Sequence, residues 1–213
     1  MTSWNNMEGS PWVPTEIHDR IELTAYRAHR ASLGQGQAWY KVQSHWIGTL
    51  AKQYGKSTKV IAAIVAALSP QVSWQTQRKY IPGVLKYLSE TEHPSGEDLP
   101  HPGFTSNCSK AWMIWDDEDT TFLKGPKVNA FAAALAGDEQ AVVVDVHMVD
   151  AALGLTDPCE REGIGSLTAN RYAVIADAVT SAAPLVSRSP RETQALIWEY
   201  QRLNVRGMDD EER

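Results

Sequence analysis

A run of nine apolar residues constrains the fold more than any other segment of this chain. Residues 60–68 read VIAAIVAAL, with Ser57 three positions before the run and Pro70 two positions after it. Serine is a favoured N-cap, and proline cannot continue a helix. A helix that is apolar around its whole circumference has no face to offer to water. We therefore predict a buried central helix that other helices must cover on every side.

The rest of the chain supplies the covering helices. A capping box at residues 189–192 (SPRE), with proline in the first helical position, marks the start of the last one. The short apolar run 142–144 favours an extended lead-in over a strand. The fold class is therefore predicted to be all-α. Apolar spacing, caps and breakers predict the remaining helices at residues 16–32, 39–54, 82–88, 107–115, 127–136, 147–153 and 166–183.

Cysteine count and hydropathy exclude several classes of protein. The two cysteines, Cys108 and Cys159, are too few for a disulfide scaffold or for a four-thiolate zinc or iron–sulfur site. No basic-then-apolar leader opens the chain, and no run approaches 18 apolar residues. We expect a cytoplasmic protein with no membrane partner, located in the host cytoplasm if a phage encodes it.

The net charge of −6 hides an uneven distribution. Residues 56–91 hold five basic residues and one acid, 5 − 1 = +4, and residues 166–206 hold five and three, 5 − 3 = +2. The clusters 116–119 and 209–212 supply eight negative charges, and without them the chain would be −6 + 8 = +2. The overall acidity therefore does not exclude a nucleic-acid-binding face. Residues 207–213 are expected to form an acidic, disordered tail.

The segment 121–154 carries the residues best suited to chemistry. A Gly125-Pro126 turn precedes a helix that begins with Lys127, and Asp145 stands at the N-cap of the next helix. A lysine beside an apolar pocket can act as a nucleophile, and a nearby carboxylate can accept its proton and stabilise a cation. His147 with Asp145 makes only half a metal site, so no metal and no other cofactor is expected. Taken singly, Lys127 and Asp145 are also typical of a solvated lysine and a plain N-cap.

These elements together resemble the helix–hairpin–helix DNA glycosylase superfamily of the endonuclease III type. Residues 125–127 (GPK) resemble the Gly-x-Lys that opens a helix in that family, and residues 144–147 (VDVH) resemble its hydrophobic-Val-Asp-x-His element. The spacing of 18 residues from Lys127 to Asp145 is also family-like. Upstream, residues 68–71 (LSPQ) resemble its Leu-Ser-x-Gln loop. The pattern is most similar to phage and bacterial members of unassigned function.

The resemblance implies a two-lobed fold with a cleft for double-stranded DNA. Residues 1–213 would form one glycosylase-like unit, with lobe A at 56–140 and lobe B at 15–55 plus 141–206. A damaged or modified base would flip into the cleft. Lys127 would attack its sugar, with possible strand nicking through a Schiff base, and Asp145 would take the proton and stabilise the cation.

The same resemblance implies which residues contact DNA. Gln71 would fill the space left by the flipped base, and Trp74 would line the pocket or wedge the opposite strand. Trp39, Trp46 and Trp198 are instead predicted to be helix-packing residues. The full set of expected DNA-binding residues is Gln71, Trp74, Arg78, Lys79, Lys124 and Gly125.

Three departures from the family pattern leave alternatives open. The hairpin is about two residues shorter, so pairing its glycines would place Asn129 at the position of the catalytic lysine; the 18-residue spacing favours Lys127. Pro126 removes an N–H that would face phosphate, and the cysteines of an iron–sulfur cluster are absent. The enzyme hypothesis includes a glycosylase and an enzyme that modifies a DNA base. Two alternatives to it remain. One is an inactive glycosylase fold that binds DNA or a host protein, and the other is a helical scaffold that does not bind nucleic acid.

Overall fold

The structure, a computed structural model, describes residues 11–31, 35–92 and 94–205. Within these residues the chain is helical, and no strand forms. Short 3₁₀ turns occur at Thr120–Phe122, Pro158–Arg161 and Ala183–Val186, and a π-helical turn at Gln201–Val205 follows the last helix. The α-helices are α1 (Pro14–Ala31), α2 (Gln35–Tyr54), α3 (Thr58–Leu68), α4 (Trp74–Glu90), α5 (Thr105–Asp117), α6 (Pro126–Ala136), α7 (Val146–Leu153), α8 (Ala169–Ala182) and α9 (Pro190–Tyr200).

The central apolar helix is α3, as predicted. The Ser57 hydroxyl accepts a hydrogen bond from the Val60 N–H at 3.2 Å and caps the helix. Every residue from 60 to 68 is at most 3% exposed. Helices α5 and α6 pack directly on α3, and α2 and α4 complete its cover. Burial of this whole surface removes it from water and stabilises the fold.

A second buried cluster joins the two ends of the described chain. It packs α1 against α7, α8 and α9 around residues such as Ile21, Met148, Ile175 and Ile197. Helix α2 contacts α3, α6 and α9, and its residues Ile47 and Leu50 belong to the cluster around α3. The all-helical prediction is confirmed, whereas the specific two-lobed glycosylase-like arrangement stays a prediction.

The structure corrects one helix start in particular. Pro82 was expected to begin a helix, but it lies inside α4, which begins at Trp74 after the Ser73 cap. Proline lacks only one N–H, and the buried stripe Ile81, Val84, Leu85 and Leu88 of α4 holds the helix together around it.

Other boundaries differ by a few residues. Helix α2 begins at Gln35, whereas the predicted helix began at residue 39. Helix α8 begins at Ala169 rather than at Ser166, because the Thr168 hydroxyl caps it by accepting from the Arg171 N–H. The acidic tail at 207–213 lies outside the described residues. No helix among the described residues is long and apolar enough to span a membrane.

Candidate functional site

A cavity of about 630 Å³ opens between α2, α4, α6, α7 and α9. Both residues proposed for chemistry, Lys127 and Asp145, line it. Its volume lies within the range of ligand-binding pockets in proteins. Aromatic rings form much of its wall, namely Trp39, Tyr40, Trp74, Phe131 and Trp198.

Trp74 is the centre of the aromatic wall. Its ring centroid lies 5.0 Å from that of Trp39, 5.8 Å from that of Trp46 and 6.2 Å from that of Phe131. These tilted and edge-on contacts are the favoured geometries for aromatic pairs. Trp39 and Trp198 pack against the buried clusters, as predicted, but both also line the cavity. Their helices α2 and α9 converge on it, which the spacing along each helix does not reveal.

A buried segment brings Asp145 to the cavity. Residues 142–144 are buried and form no strand, as predicted. The buried Tyr172 hydroxyl donates to the Val142 carbonyl at 2.8 Å and accepts from the Val144 N–H at 3.2 Å. Burial raises the pKa of Tyr172, and the charge of Asp145 adds to that shift. The phenol therefore remains a neutral hydrogen-bonding group that holds the segment in place.

The Asp145 carboxylate accepts hydrogen bonds from three N–H groups. Its Oδ1 atom caps α7 by accepting from the backbone N–H of His147 at 3.0 Å and of Met148 at 3.1 Å. Its Oδ2 atom accepts from the Trp198 indole N–H at 2.8 Å. The sequence predicted the cap but not the indole. These donors fix the orientation of the carboxylate at the cavity wall.

Lys127 rather than Asn129 shares the cavity with Asp145. Lys127 lies in the first turn of α6, and its side chain is exposed at the rim of the cavity. The Asn129 amide donates to the Gly125 carbonyl at 2.9 Å and lines a smaller hollow beside Lys59. The geometry therefore favours Lys127 for any lysine chemistry in the cavity.

A buried tyrosine supports the wall beside Asp145. The Tyr40 hydroxyl donates to Gln194 Oε1 at 3.1 Å, and both side chains are buried. Burial raises the pKa of Tyr40 strongly, and the charge of Asp145 raises it further against the opposing Arg191. Tyr40 is therefore neutral at any physiological pH and keeps this hydrogen bond.

Two buried glutamines in the cavity wall were missed from the sequence. Gln77 is fully buried, and its Nε2 donates to the Leu68 carbonyl at 2.6 Å. Its Oε1, like Oε1 of Gln43, is buried without a hydrogen-bond partner among the described residues. Gln77 follows Trp74 by three positions and precedes Ile81 by four, so it lies on the buried stripe of α4. That spacing is the one signal that would have found it.

The remaining residues expected to contact DNA lie outside the cavity lining. Gln71 is exposed, in a left-handed turn with φ of 61°. Gly125 is exposed at the start of α6 with φ of 94°. The Lys124 ammonium donates to the Thr121 carbonyl at 2.8 Å. The cavity therefore joins Trp74, Lys127 and Asp145, while Gln71, Lys124 and Gly125 remain surface residues.

Two exposed cations on α4 stack on aromatic rings. The Arg78 guanidinium lies 4.2 Å from the Trp46 ring centroid, and the Lys79 ammonium lies 5.3 Å from that of Tyr80. Their positive charge therefore lies on the helix that also carries Trp74. Across the described residues, no group of three or more His, Cys, Asp or Glu side chains is placed to hold a metal ion.

Comparison with known proteins gives one match, to a family. The model of the family described as "Family of unknown function (DUF7178)" matches residues 5–204, which is nearly the whole chain. No curated protein and no solved structure matches the chain.

Proposed function

We propose that this chain, which belongs to the DUF7178 family, binds DNA and takes one damaged or modified base into the aromatic cavity. The observation that carries the proposal is that Lys127 and Asp145 line the same cavity. The motifs that carry the glycosylase resemblance include these two residues. Nothing in their separate local signals requires that they meet.

The cavity suits a flat heteroaromatic ligand. Nucleobases extruded from a duplex are held by stacking on aromatic side chains and by hydrogen bonds to their edges. Trp39, Trp74 and Phe131 provide the stacking surfaces, and glutamines provide polar atoms. Base–aromatic stacking contributes roughly 1–3 kcal/mol for each base. Such a wall would repay part of the cost of removing the base from the stack.

The proposed chemistry starts at Lys127. The lone pair of the neutral amine forms a bond to the anomeric carbon, and the glycosidic bond electrons leave with the base, which takes a proton from water. The new ammonium loses a proton to water at the exposed rim. The nitrogen lone pair then forms the Schiff base as the ring oxygen takes the electrons of its bond to the anomeric carbon, together with a proton.

Asp145 would act through its charge. Three N–H donors already fix the position of its carboxylate. An ionised group fixed beside the sugar stabilises the positive charge that develops as the base leaves. Exposed Arg78, Lys79 and Lys124 would neutralise backbone phosphates around the opening of the cavity.

Borohydride trapping tests the enzyme proposal. The protein is incubated with duplexes that carry abasic, uracil, oxidised or alkylated sites, and borohydride reduces any Schiff base to a stable adduct. We expect an adduct with the wild type and with the matched control Lys59→Ala, an exposed lysine on α3, and none with Lys127→Ala. An adduct that survives Lys127→Ala assigns the chemistry to another amine.

The main alternative is an inactive member that binds DNA without chemistry; an inactive member that binds a host protein instead would show no duplex binding. The DNA-binding alternative is favoured because every hydrogen bond identified for Asp145 has a structural use, either in the α7 cap or to Trp198. It predicts no adduct, no base release and no nicking on the lesion panel, but retained duplex binding. The logarithm of the duplex-binding constant should fall linearly with the logarithm of the salt concentration, because phosphate contacts release counterions. A protein with no salt-dependent DNA affinity would be a scaffold or a partner of another protein.

A further inference from the structure

Of the three glutamines that line the cavity, Gln77 and Gln43 have a buried amide oxygen without a hydrogen-bond partner among the described residues. The Leu68 carbonyl, at the end of α3, accepts from Gln77 Nε2 at 2.6 Å. A carbonyl requires a donor, so this contact fixes which end of the amide is nitrogen. Gln77 Oε1 is therefore the acceptor end of this amide. It is buried and has no partner among the described residues.

Gln43 adds a second acceptor from another helix. It is 7% exposed on α2, it lines the same cavity, and its Oε1 is also buried and without a partner there. Neither oxygen is accessible to solvent, so each is a buried acceptor left unsatisfied. A ligand whose donors reach them would supply the missing hydrogen bonds.

We propose that Gln77 and Gln43 make the cavity selective for bases that carry an exocyclic amino group. This inference rests on the proposed function, because it names the base that the cavity takes. An amino group supplies two coplanar N–H donors from one atom, as in adenine and cytosine. Uracil and thymine offer one ring N–H between two carbonyls, whose oxygens would face the glutamine oxygens unfavourably.

Two matched pairs of free bases test the preference in the wild-type protein. Adenine is compared with purine, and cytosine with pyrimidin-2-one, because each pair differs only by the amino group. Binding is followed by quenching of tryptophan fluorescence and by calorimetry. We expect the amino-bearing member to bind at least about tenfold more tightly, the factor that corresponds to one unsatisfied buried polar group. Equal affinity within both pairs, or no binding of any of the four bases, overturns the inference.

Variants assign the preference to the two side chains. Gln77→Met and Gln43→Met keep the side-chain length and remove the acceptor, and each should reduce the preference at least severalfold. The matched controls Gln75→Met and Gln53→Met change exposed glutamines on the same two helices and should keep it. Gln43→Met does not touch the Leu68 carbonyl, so it remains informative if Gln77→Met fails to fold. A preference that survives both cavity variants overturns the assignment.

The outcomes separate this inference from the proposed function. Selective binding of adenine over purine without any trapped or salt-sensitive DNA complex would remove the DNA function and keep the amino-selective cavity. A lysine adduct with equal binding of adenine and purine would keep the DNA function and remove the glutamine selectivity.

Discussion

Replacing Asp145 should reveal how much of its carboxylate serves the fold and how much is left for function. The side chain has two separable structural contacts, the cap of α7 through Oδ1 and the Trp198 indole through Oδ2. Asp145→Ala removes both contacts. Asp145→Ser keeps a hydroxyl that can cap the helix but is too short to reach the indole.

The expected costs follow from these contacts. Loss of an N-cap to alanine costs about 1 kcal/mol of unfolding free energy. A hydrogen bond to a charged group contributes about 1.5–3 kcal/mol, and the lower end applies because the Trp198 side chain is only partly buried. Asp145→Ala should therefore cost about 2.5 kcal/mol and Asp145→Ser about 1.5 kcal/mol. At roughly 2–4 °C per kcal/mol for a chain of this size, Asp145→Ala should lower Tm by about 5–10 °C.

Urea unfolding, followed by circular dichroism at 222 nm, measures the unfolding free energy of both variants. The same measurement on Trp198→Phe, alone and combined with Asp145→Ser, completes a double-mutant cycle. The cycle should give a coupling energy of about 1.5 kcal/mol between residues 145 and 198. If Trp198→Phe costs the same in the wild-type and Asp145→Ser backgrounds, the indole bond contributes nothing. If Asp145→Ala costs less than about 0.5 kcal/mol, the carboxylate has no structural role and the cap assignment is refuted.

Three further predictions concern the frame of the site. Burial raises the pKa of Glu192, but hydrogen bonds from a backbone N–H and from a neighbouring lysine lower it by more, so the net pKa lies below the ordinary 4.5. The stabilising effect of the Glu192 carboxylate is therefore present above pH 4.5 and is lost as the pH falls through the folded-state pKa. Glu192→Gln should remove this pH dependence from acid-unfolding curves. Tyr172→Phe leaves the backbone of 142–144 with an unpaired buried donor and acceptor and should cost about 2–3 kcal/mol in urea unfolding; an unchanged midpoint would refute the role given to its hydroxyl. Gly125→Ala places a side chain at φ of 94° and should lower the unfolding free energy by about 1–3 kcal/mol. Gly48→Ala lies inside α2 with open space for a Cβ and should raise the unfolding free energy by up to about 1 kcal/mol. The difference in Tm between the two variants tests for backbone strain at Gly125.

The parts of the fold that the sequence predicted are those with local causes. The uninterrupted apolar run dictates a buried α3 because no other arrangement hides all of its faces. The Ser189 capping box and the Asp145 cap were predicted because a cap needs only residues within three positions. Pro82 misled the prediction for the same reason, since its local meaning as a breaker was outweighed by the tertiary packing of α4.

The site could be predicted only as far as its motifs extend along the chain. Lys127 and Asp145 were found by their spacing, but the cavity that joins them depends on how α2, α4 and α9 converge, and sequence distance does not encode that convergence. Gln77 shows what local reasoning can still extract. A polar residue on the buried stripe of a helix must either pair with protein groups or face a cavity, because an unsatisfied amide in the core is costly. Gln77 pairs its nitrogen with the end of α3 and lines the cavity, while its oxygen is buried without a partner among the described residues. A glutamine on such a stripe is therefore a physical reason to look for a ligand site beside it, even where no motif marks one.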